Sequence, residues 1–185
     1  MNRASRNILS VVLGLGLLAA VIFGLLAGLD FWRDRNIEKR IDRFNEAIAQ
    51  ASRESDLPVP LIRAVIRAES SGEPDAVSST GARGLMQLMP DAEQDVLTRL
   101  KIPRGDLFNG DYNIRVGAAY LRQMMNRYDN DLYLSLAAYN MGPGKVNKIR
   151  QDHPDLTGQQ LVEQFVPGGT RLYCQQIIRG AERKK

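Results

Sequence analysis

The stretch VPLIRAVIRAESSGEPDAVSSTGARGLMQLMP, residues 59–90, holds the pattern on which the fold turns. Its first third repeats apolar residues at helical spacing, so that Ile62, Val65, Ile66 and then Glu69 share one face. A carboxylate therefore continues a core-facing stripe. Pro58 and Pro60 break the chain ahead of this helix, and Gly72 with Pro74 ends it. Gly81 and Gly84 then permit tight backbone paths before Leu85, Met86, Leu88 and Met89, which read as a short helix stopping at Pro90. A lone acid followed by a glycine-rich turn and a compact helix points to a cleft.

Upstream, Asp34 to Arg53 reads as one amphipathic helix carrying Ile37, Ile41, Phe44 and Ile48. Downstream, helical patterns run from about Asp91 to Leu100, from Asn113 to Tyr128 and from Asp131 to Asn140. Gly117 lies on the apolar face of Ile114, Leu121 and Met124, where it costs helix propensity and signals a close helix crossing. Gly142-Pro143-Gly144 halts the helix that ends at Asn140, Thr157 caps a short helix ending near Phe165, and Thr170 to Glu182 forms the last. With no alternating strand pattern and no repeat, the fold class is mainly α, with six or seven short helices.

Residues 8–29, ILSVVLGLGLLAAVIFGLLAGL, carry no charge, and about 20 such residues span a bilayer as a helix. The layout expected is a short tail at 1–7, a transmembrane signal anchor at 8–29, an amphipathic lead-in at 30–56 and a globular domain at 57–182. Leu18-Ala20 and Leu25-Ala27 make poor small-x-small cleavage sites, so the anchor is expected to stay uncleaved. Arg3 and Arg6 precede it, whereas Arg33, Arg35, Lys39, Arg40 and Arg43 follow, a count that by itself favours a cytoplasmic domain.

A net charge of +4 and a pI near 9.4 bias the chain toward anionic polymers or lipid headgroups. Nucleic acid is disfavoured as a partner: there is no zinc-ligand cluster, no aromatic RNA-binding strand pattern and no lone basic helix. The single Cys174 forms no internal disulfide, and the single His153, beside Pro154, supports neither a histidine-built metal site nor a catalytic dyad.

Glu69 admits two readings. It sits at the solvent edge, salt-bridged to Arg67 or Arg83, or it is partly buried, with its acidity constant raised toward roughly 6, and donates a proton to a poor leaving group such as a glycosidic oxygen. Ordinary glycosidases pair two carboxylates about 5–9.5 Å apart. The nearby Glu73 and Asp75 sit in a polar turn where acids are common, so one acid stands out and no partner does. Gln87 offers amide donors and an acceptor, either for the acid or for an N-acetyl group. Met86 and Met89 read as core. Tyr139 either lids the core, braces Glu69 or stacks on sugar, and Asn140 satisfies a helix end.

Three ordered blocks then carry a family resemblance. Glu69-Ser70 with Pro74, Ala76 and Ser78 is followed by Gly81-Ala82 and Gly84-Leu85-Met86-Gln87-Leu88-Met89-Pro90. The second block is Asn113-Ile114-Arg115 with Gly117 to Leu121, and the third is Ala137-Ala138-Tyr139-Asn140 with Gly142-Pro143-Gly144 and Val146. From about Asp42 to Arg179 the chain resembles the catalytic domain of soluble-lytic-transglycosylase-type enzymes, a lysozyme-like family related to goose-type lysozyme.

The resemblance implies a lysozyme-like transglycosylase domain at 57–182 that cuts peptidoglycan glycan strands between N-acetylmuramic acid and N-acetylglucosamine, leaving 1,6-anhydro ends. Glu69 is its catalytic acid, then base. Ser78 and Gln87 lie around the acid and the N-acetyl group, Tyr139 supports the acid, and Asn140 belongs to the same block. Ser70, Gly81, Gly84, Met86, Gly142, Pro143 and Gly144 are structural, and neither metal nor cofactor is expected. Because peptidoglycan lies outside the cytoplasmic membrane, the resemblance also implies a single-pass inner-membrane protein with its domain on the periplasmic or external side, against the charge count. Candidate partners are the membrane and the cell-wall or secretion machinery. The alternatives are a muramidase of the same fold that uses water, and a noncatalytic peptidoglycan-binding assembly protein. Two departures stand out: Gly72 replaces a common aromatic residue, and Gly169 replaces the Glu of a Glu-Thr pair.

Overall fold

The computed structural model describes the backbone of residues 3–182 and the side chains of residues 16, 18 and 20–182. The chain divides into two compact units, Met1–Lys39 and Arg40–Lys185. The first is built by helix α1, Arg3–Asp42, whose Leu18, Val21, Ile22, Phe23, Leu25, Leu26 and Leu29 are exposed. The expected span at 8–29 lies partly outside the described residues (8–15, 17 and 19). Among the described residues, no helix is long and apolar enough to cross a membrane.

The second unit contains the end of α1 followed by α2 (Asn45–Ser55), α3 (Val59–Ser70), α4 (Pro90–Leu100), α5 (Gly110–Arg127), α6 (Leu132–Met141), α7 (Pro143–Asp152), α8 (Gly158–Phe165) and α9 (Gly168–Glu182). Helix α3 packs on α2 and α9, α5 on α2, α4 and α6, and α6 on α7, α8 and α9. Ile62, Val65 and Ile66 of α3, Ile114, Val116 and Leu121 of α5, and Leu136 to Ala138 of α6 are fully removed from water. Burying each large aliphatic side chain stabilises the fold by about 1.5–3 kcal/mol.

Proline and capping residues set several helix starts as the sequence indicated. Pro60 occupies the first turn of α3, where a missing N–H costs nothing. Thr157 forms a complete capping box with Gln160 at the start of α8. The α3 helix ends on Ser71, in the left-handed conformation at φ 54°, followed by Gly72 at φ +78°.

Five expectations require correction. The amphipathic helix of 34–53 is two helices, broken at Arg43-Phe44, where Phe44 leaves helical geometry. Residues 85–89 form no helix: the segment 77–88 is a tight loop with isolated bridges Val77↔Arg83 and Arg83↔Leu88. Gly84 at φ +75° and Gln87 at φ +47° cannot continue a helix, and the Met86 N–H donates to the Asn113 side chain at 2.8 Å. Gly117 meets this loop rather than a crossing helix, because a Cβ there would lie 2.6 Å from Met86 Sδ. Pro143 ends α6 but also opens α7, an element absent from the sequence reading, since proline suits a first helical position. Finally, α9 starts two residues early, at Gly168, which brings the second unit to eight complete helices among the described residues.

Candidate active site

Glu69 projects from the last turn of α3, partly buried, and its Oε1 accepts a 2.7 Å hydrogen bond from the Tyr173 hydroxyl of α9. Burial pushes its carboxyl up to about 7, and the Tyr173 bond opposes that rise only partly. Neither influence is a cation. Of the two readings of Glu69, the partly buried acid is the one that matches these influences, and the Arg83 guanidinium lies over the Phe108 ring, 6.0 Å from its centre. A salt-bridged carboxyl would have moved in the opposite direction.

Two tyrosines flank the acid, and their roles differ from expectation. Tyr139 does not brace Glu69: its hydroxyl donates to the Met86 carbonyl at 2.8 Å and ties α6 to the loop. Tyr173 takes the bracing position. Burial, then the nearby Glu69 charge, holds both phenols well above their usual range, so both remain donors. Tyr120 packs against Tyr139, with ring centres 5.4 Å apart at 55°. In sequence, nothing local links Tyr173 to Glu69, 104 positions away. Its approach depends on α9 lying along α3.

The remaining expected site residues mostly shape the backbone around this pair. Ser78 Oγ accepts from the Ala82 N–H at 3.0 Å and lies 2.9 Å from Thr80 Oγ1, closing the turn around Gly81. Gln87 commits its side-chain nitrogen to the carbonyls of Ala76, at 3.0 Å, and Gly84, at 2.9 Å, so it staples the loop with its amide donors. It does so in a left-handed conformation unusual for a residue other than glycine, the kind of backbone cost found at functional sites. Asn140 Oδ1 accepts from Thr170 Oγ1 at 2.7 Å, joining the end of α6 to α9 one turn before Tyr173. Ser70 Oγ donates to the Ile66 carbonyl and accepts from the Gly72 N–H, both at 3.1 Å.

Asn113 is the buried hub that the sequence reading missed as a functional support. Its side chain accepts from Met86 N at 2.8 Å and donates to the carbonyls of Arg83 and Leu107 at 2.9 Å. Only glycine fits beside it at position 84, because a Cβ there would sit 2.3 Å from both the Asn113 amide nitrogen and the Leu107 oxygen. Buried Met86 packs against Gly117 from the same loop. Gly142 turns the chain at φ +89°, Pro143 presents its carbonyl to the Tyr128 hydroxyl at 3.1 Å, and Gly144 lies in the first turn of α7.

Among the described residues, no second carboxylate joins Glu69. Glu73 is exposed and pairs with Arg40 at 2.8 Å, and Asp75 is exposed on the same turn. Among the described residues no group of three or more His, Cys, Asp or Glu is arranged to hold a metal ion. His153 stacks on Phe165, 3.7 Å between ring centres, and Cys174 is buried with its thiol pushed up to about 12. Two cavities, of about 200 and 810 Å³, lie along α2 and α5 and do not include Glu69. The two departures differ in consequence. Gly169 has open space around it, whereas a Cβ on Gly72 would meet Arg40 Cβ and Ile41 Cγ1 at 3.0 Å.

Comparison with known proteins matches residues 46–162 to the transglycosylase SLT domain. The chain is 33% identical over 140 residues to the soluble lytic murein transglycosylase of Escherichia coli K12, covering 73% of this chain and 22% of that one. It is 36% identical over 124 residues to the membrane-bound lytic murein transglycosylase F of Desulfosudis oleivorans, covering 63% and 26%. Among solved structures, an inactive mutant of the lytic transglycosylase Slt of Pseudomonas aeruginosa superposes with a TM-score of 0.69 at 34% identity, covering 74% and 23%. The chain thus spans about a quarter of the length of each of these relatives.

Proposed function

The chain belongs to the transglycosylase SLT family, and from that premise we propose that it is a peptidoglycan lytic transglycosylase acting through Glu69 alone. The observation that carries the reading is a partly buried carboxyl held up to about 7, hydrogen-bonded to Tyr173, with Glu73 turned away to Arg40. Near neutral pH such a group is protonated often enough to act as an acid and ionised often enough to act as a base.

Glu69 gives its proton to the β-1,4 bridging oxygen as the bond from that oxygen to the muramic-acid anomeric carbon breaks. The substrate's own N-acetyl group stabilises the positive charge that develops there. Glu69, now ionised, takes the proton of the same sugar's C6 hydroxyl as its oxygen bonds to the anomeric carbon. The products are a 1,6-anhydro end and a free N-acetylglucosamine hydroxyl, with no water consumed and Glu69 reprotonated. Tyr173 holds the carboxyl in place and favours its ionised form in the second half of the cycle. Tyr139, Ser78, Gln87 and Asn140 fix the walls between which the glycan lies.

The apolar, uncharged run at 8–29 further supports a single-pass anchor in the inner membrane, with the domain on the periplasmic or external side where peptidoglycan is found. A relative named as membrane-bound makes that placement familiar within the family. Mass spectrometry of peptidoglycan digested by the wild-type chain and by E69Q tests the chemistry. Anhydro-muropeptides from wild type and none from E69Q are expected. Reducing ends would identify a muramidase, and turnover by folded E69Q would remove Glu69 from its role.

A further inference from the structure

The family match begins at residue 46, yet the corner formed by residues 40–45, just ahead of it, grips the helix that carries Glu69 in its second turn and at its end. In the helix's second turn, Arg63 donates to the Asp42 carboxylate and to Asn45 Oδ1, both at 2.6 Å. At its end, Arg40 Nε donates to the Ser71 carbonyl at 3.0 Å, and Arg40 Nη1 pairs with Glu73 Oε1 at 2.8 Å. Arg40 thus binds the left-handed cap residue and the turn that follows it, two to four residues beyond the acid.

Two glycine notches receive the same corner. The Cβ of Arg40 and Cγ1 of Ile41 occupy the space a side chain at Gly72 would need, at 3.0 Å from its Cβ position, and Ile41 is 1% exposed. Phe44 sits against Gly110, the first residue of α5, with a Cβ there only 2.3 Å from its ring. An exposed ion pair alone contributes little to stability. Here the guanidinium makes a second bond to a backbone carbonyl, in a fork that lysine cannot reproduce. What it secures is the register of the α3 terminus.

We infer that Arg40 is a positioning residue for Glu69: with Ile41 it clamps the Ser71–Glu73 turn, so that the corner at 40–45 is a working part of the active site. This rests on the assignment of Glu69 as the catalytic acid. The groups facing that carboxyl are Tyr173 of α9 and, nearby, Tyr139 of α6. Arg40 acts on Glu69 through the turn and not by its charge. Loosening the turn lets Glu69 slip from Tyr173 toward water.

The experiment compares full-length wild type, R40A, R40K and the remote control R150A. It measures kcat and KM on purified peptidoglycan, the thermal midpoint, and the titration of the Glu69 carboxyl carbon by NMR. R40A is expected to lose about tenfold or more in kcat, with KM within about twofold, because displacement of a reacting group is paid in the chemical step. Its Glu69 titration moves down toward the ordinary carboxyl range, while the thermal midpoint stays within about 5 °C. R40K falls between the two, and R150A matches wild type. Wild-type kcat and titration in R40A overturn the inference, as does an activity loss that unfolding at the assay temperature fully explains. If R40A does not fold, E73Q decides: it removes one arm of the clamp at an exposed position, and an unmoved Glu69 titration in it overturns the inference. Intact peptidoglycan with wild type defeats the functional assignment alone, because the titration still reports on the clamp.

Discussion

Replacing Glu69 by glutamine should make the protein more stable in alkali, by an amount the site itself sets. The wild-type carboxyl moves from an ordinary 4.5 to about 7 on folding, mainly through burial. A raised carboxyl contributes most below its unfolded value, and that contribution is lost as pH rises through its folded value. At about 1.4 kcal/mol per pH unit, a rise of this size makes the ionised fold about 3 kcal/mol poorer relative to the unfolded chain. Glutamine keeps the oxygen that accepts from Tyr173 and never ionises. Urea unfolding of wild type and E69Q at pH 4.5 and pH 8.5 reads the effect as a difference of differences. Relative to its standing at pH 4.5, E69Q should gain about 2–3 kcal/mol at pH 8.5, with most of the change between pH 5 and 7.5. A gap that does not vary with pH would refute the buried-acid reasoning. A gap of opposite sign would mean that the ionised carboxylate is stabilised in the fold, as a salt bridge would make it.

Tyr173→Phe removes the one hydrogen bond that favours the ionised form of Glu69, so its carboxyl should rise further. The optimum of the pH–rate profile should shift upward, with kcat down about tenfold and KM little changed. Asn113→Ala leaves the buried Met86 N–H and the buried Leu107 carbonyl without their partner, while the Arg83 carbonyl keeps its bond from the Leu88 N–H at 2.9 Å. It should cost about 3 kcal/mol or more in urea unfolding, since each unsatisfied buried group costs about 1–3 kcal/mol. Activity should fall alongside, because the same side chain holds the loop that Tyr139 grips through Met86.

The helices were legible because their signals are local. Pro60 at the start of α3, Thr157 at the cap of α8 and the apolar spacing of Ile62, Val65 and Ile66 each constrain a few neighbouring residues, and those constraints survive in one dimension. The segment around Gly84 to Met89 misled for the same reason. Its apolar residues mimic a helical turn, but a side chain 27 positions away captures the Met86 N–H, and Gln87 takes a left-handed conformation that local preference disfavours. α7 was hidden because Pro143 carries a stop and a start signal at once, and the stop was read alone.

Glu69 as an acid on an apolar stripe was determined by sequence alone, since the helical period can be counted along the chain; that none of the other acids folds against it was decided by the fold. What suits it to acid–base work was decided by tertiary packing. Burial depends on which helices cover it, and its acidity follows from that burial. Its hydrogen bond comes from Tyr173, 104 residues away, placed by α9 against α3 and by the Asn140–Thr170 bond. Tyr139 also lies beyond the reach of any local sequence rule, yet packing sends its hydroxyl to a backbone carbonyl. Spacing in sequence can assign residues to a helix face. Which hydroxyl reaches a carboxylate is a matter of a few ångströms between elements that only the folded core brings together.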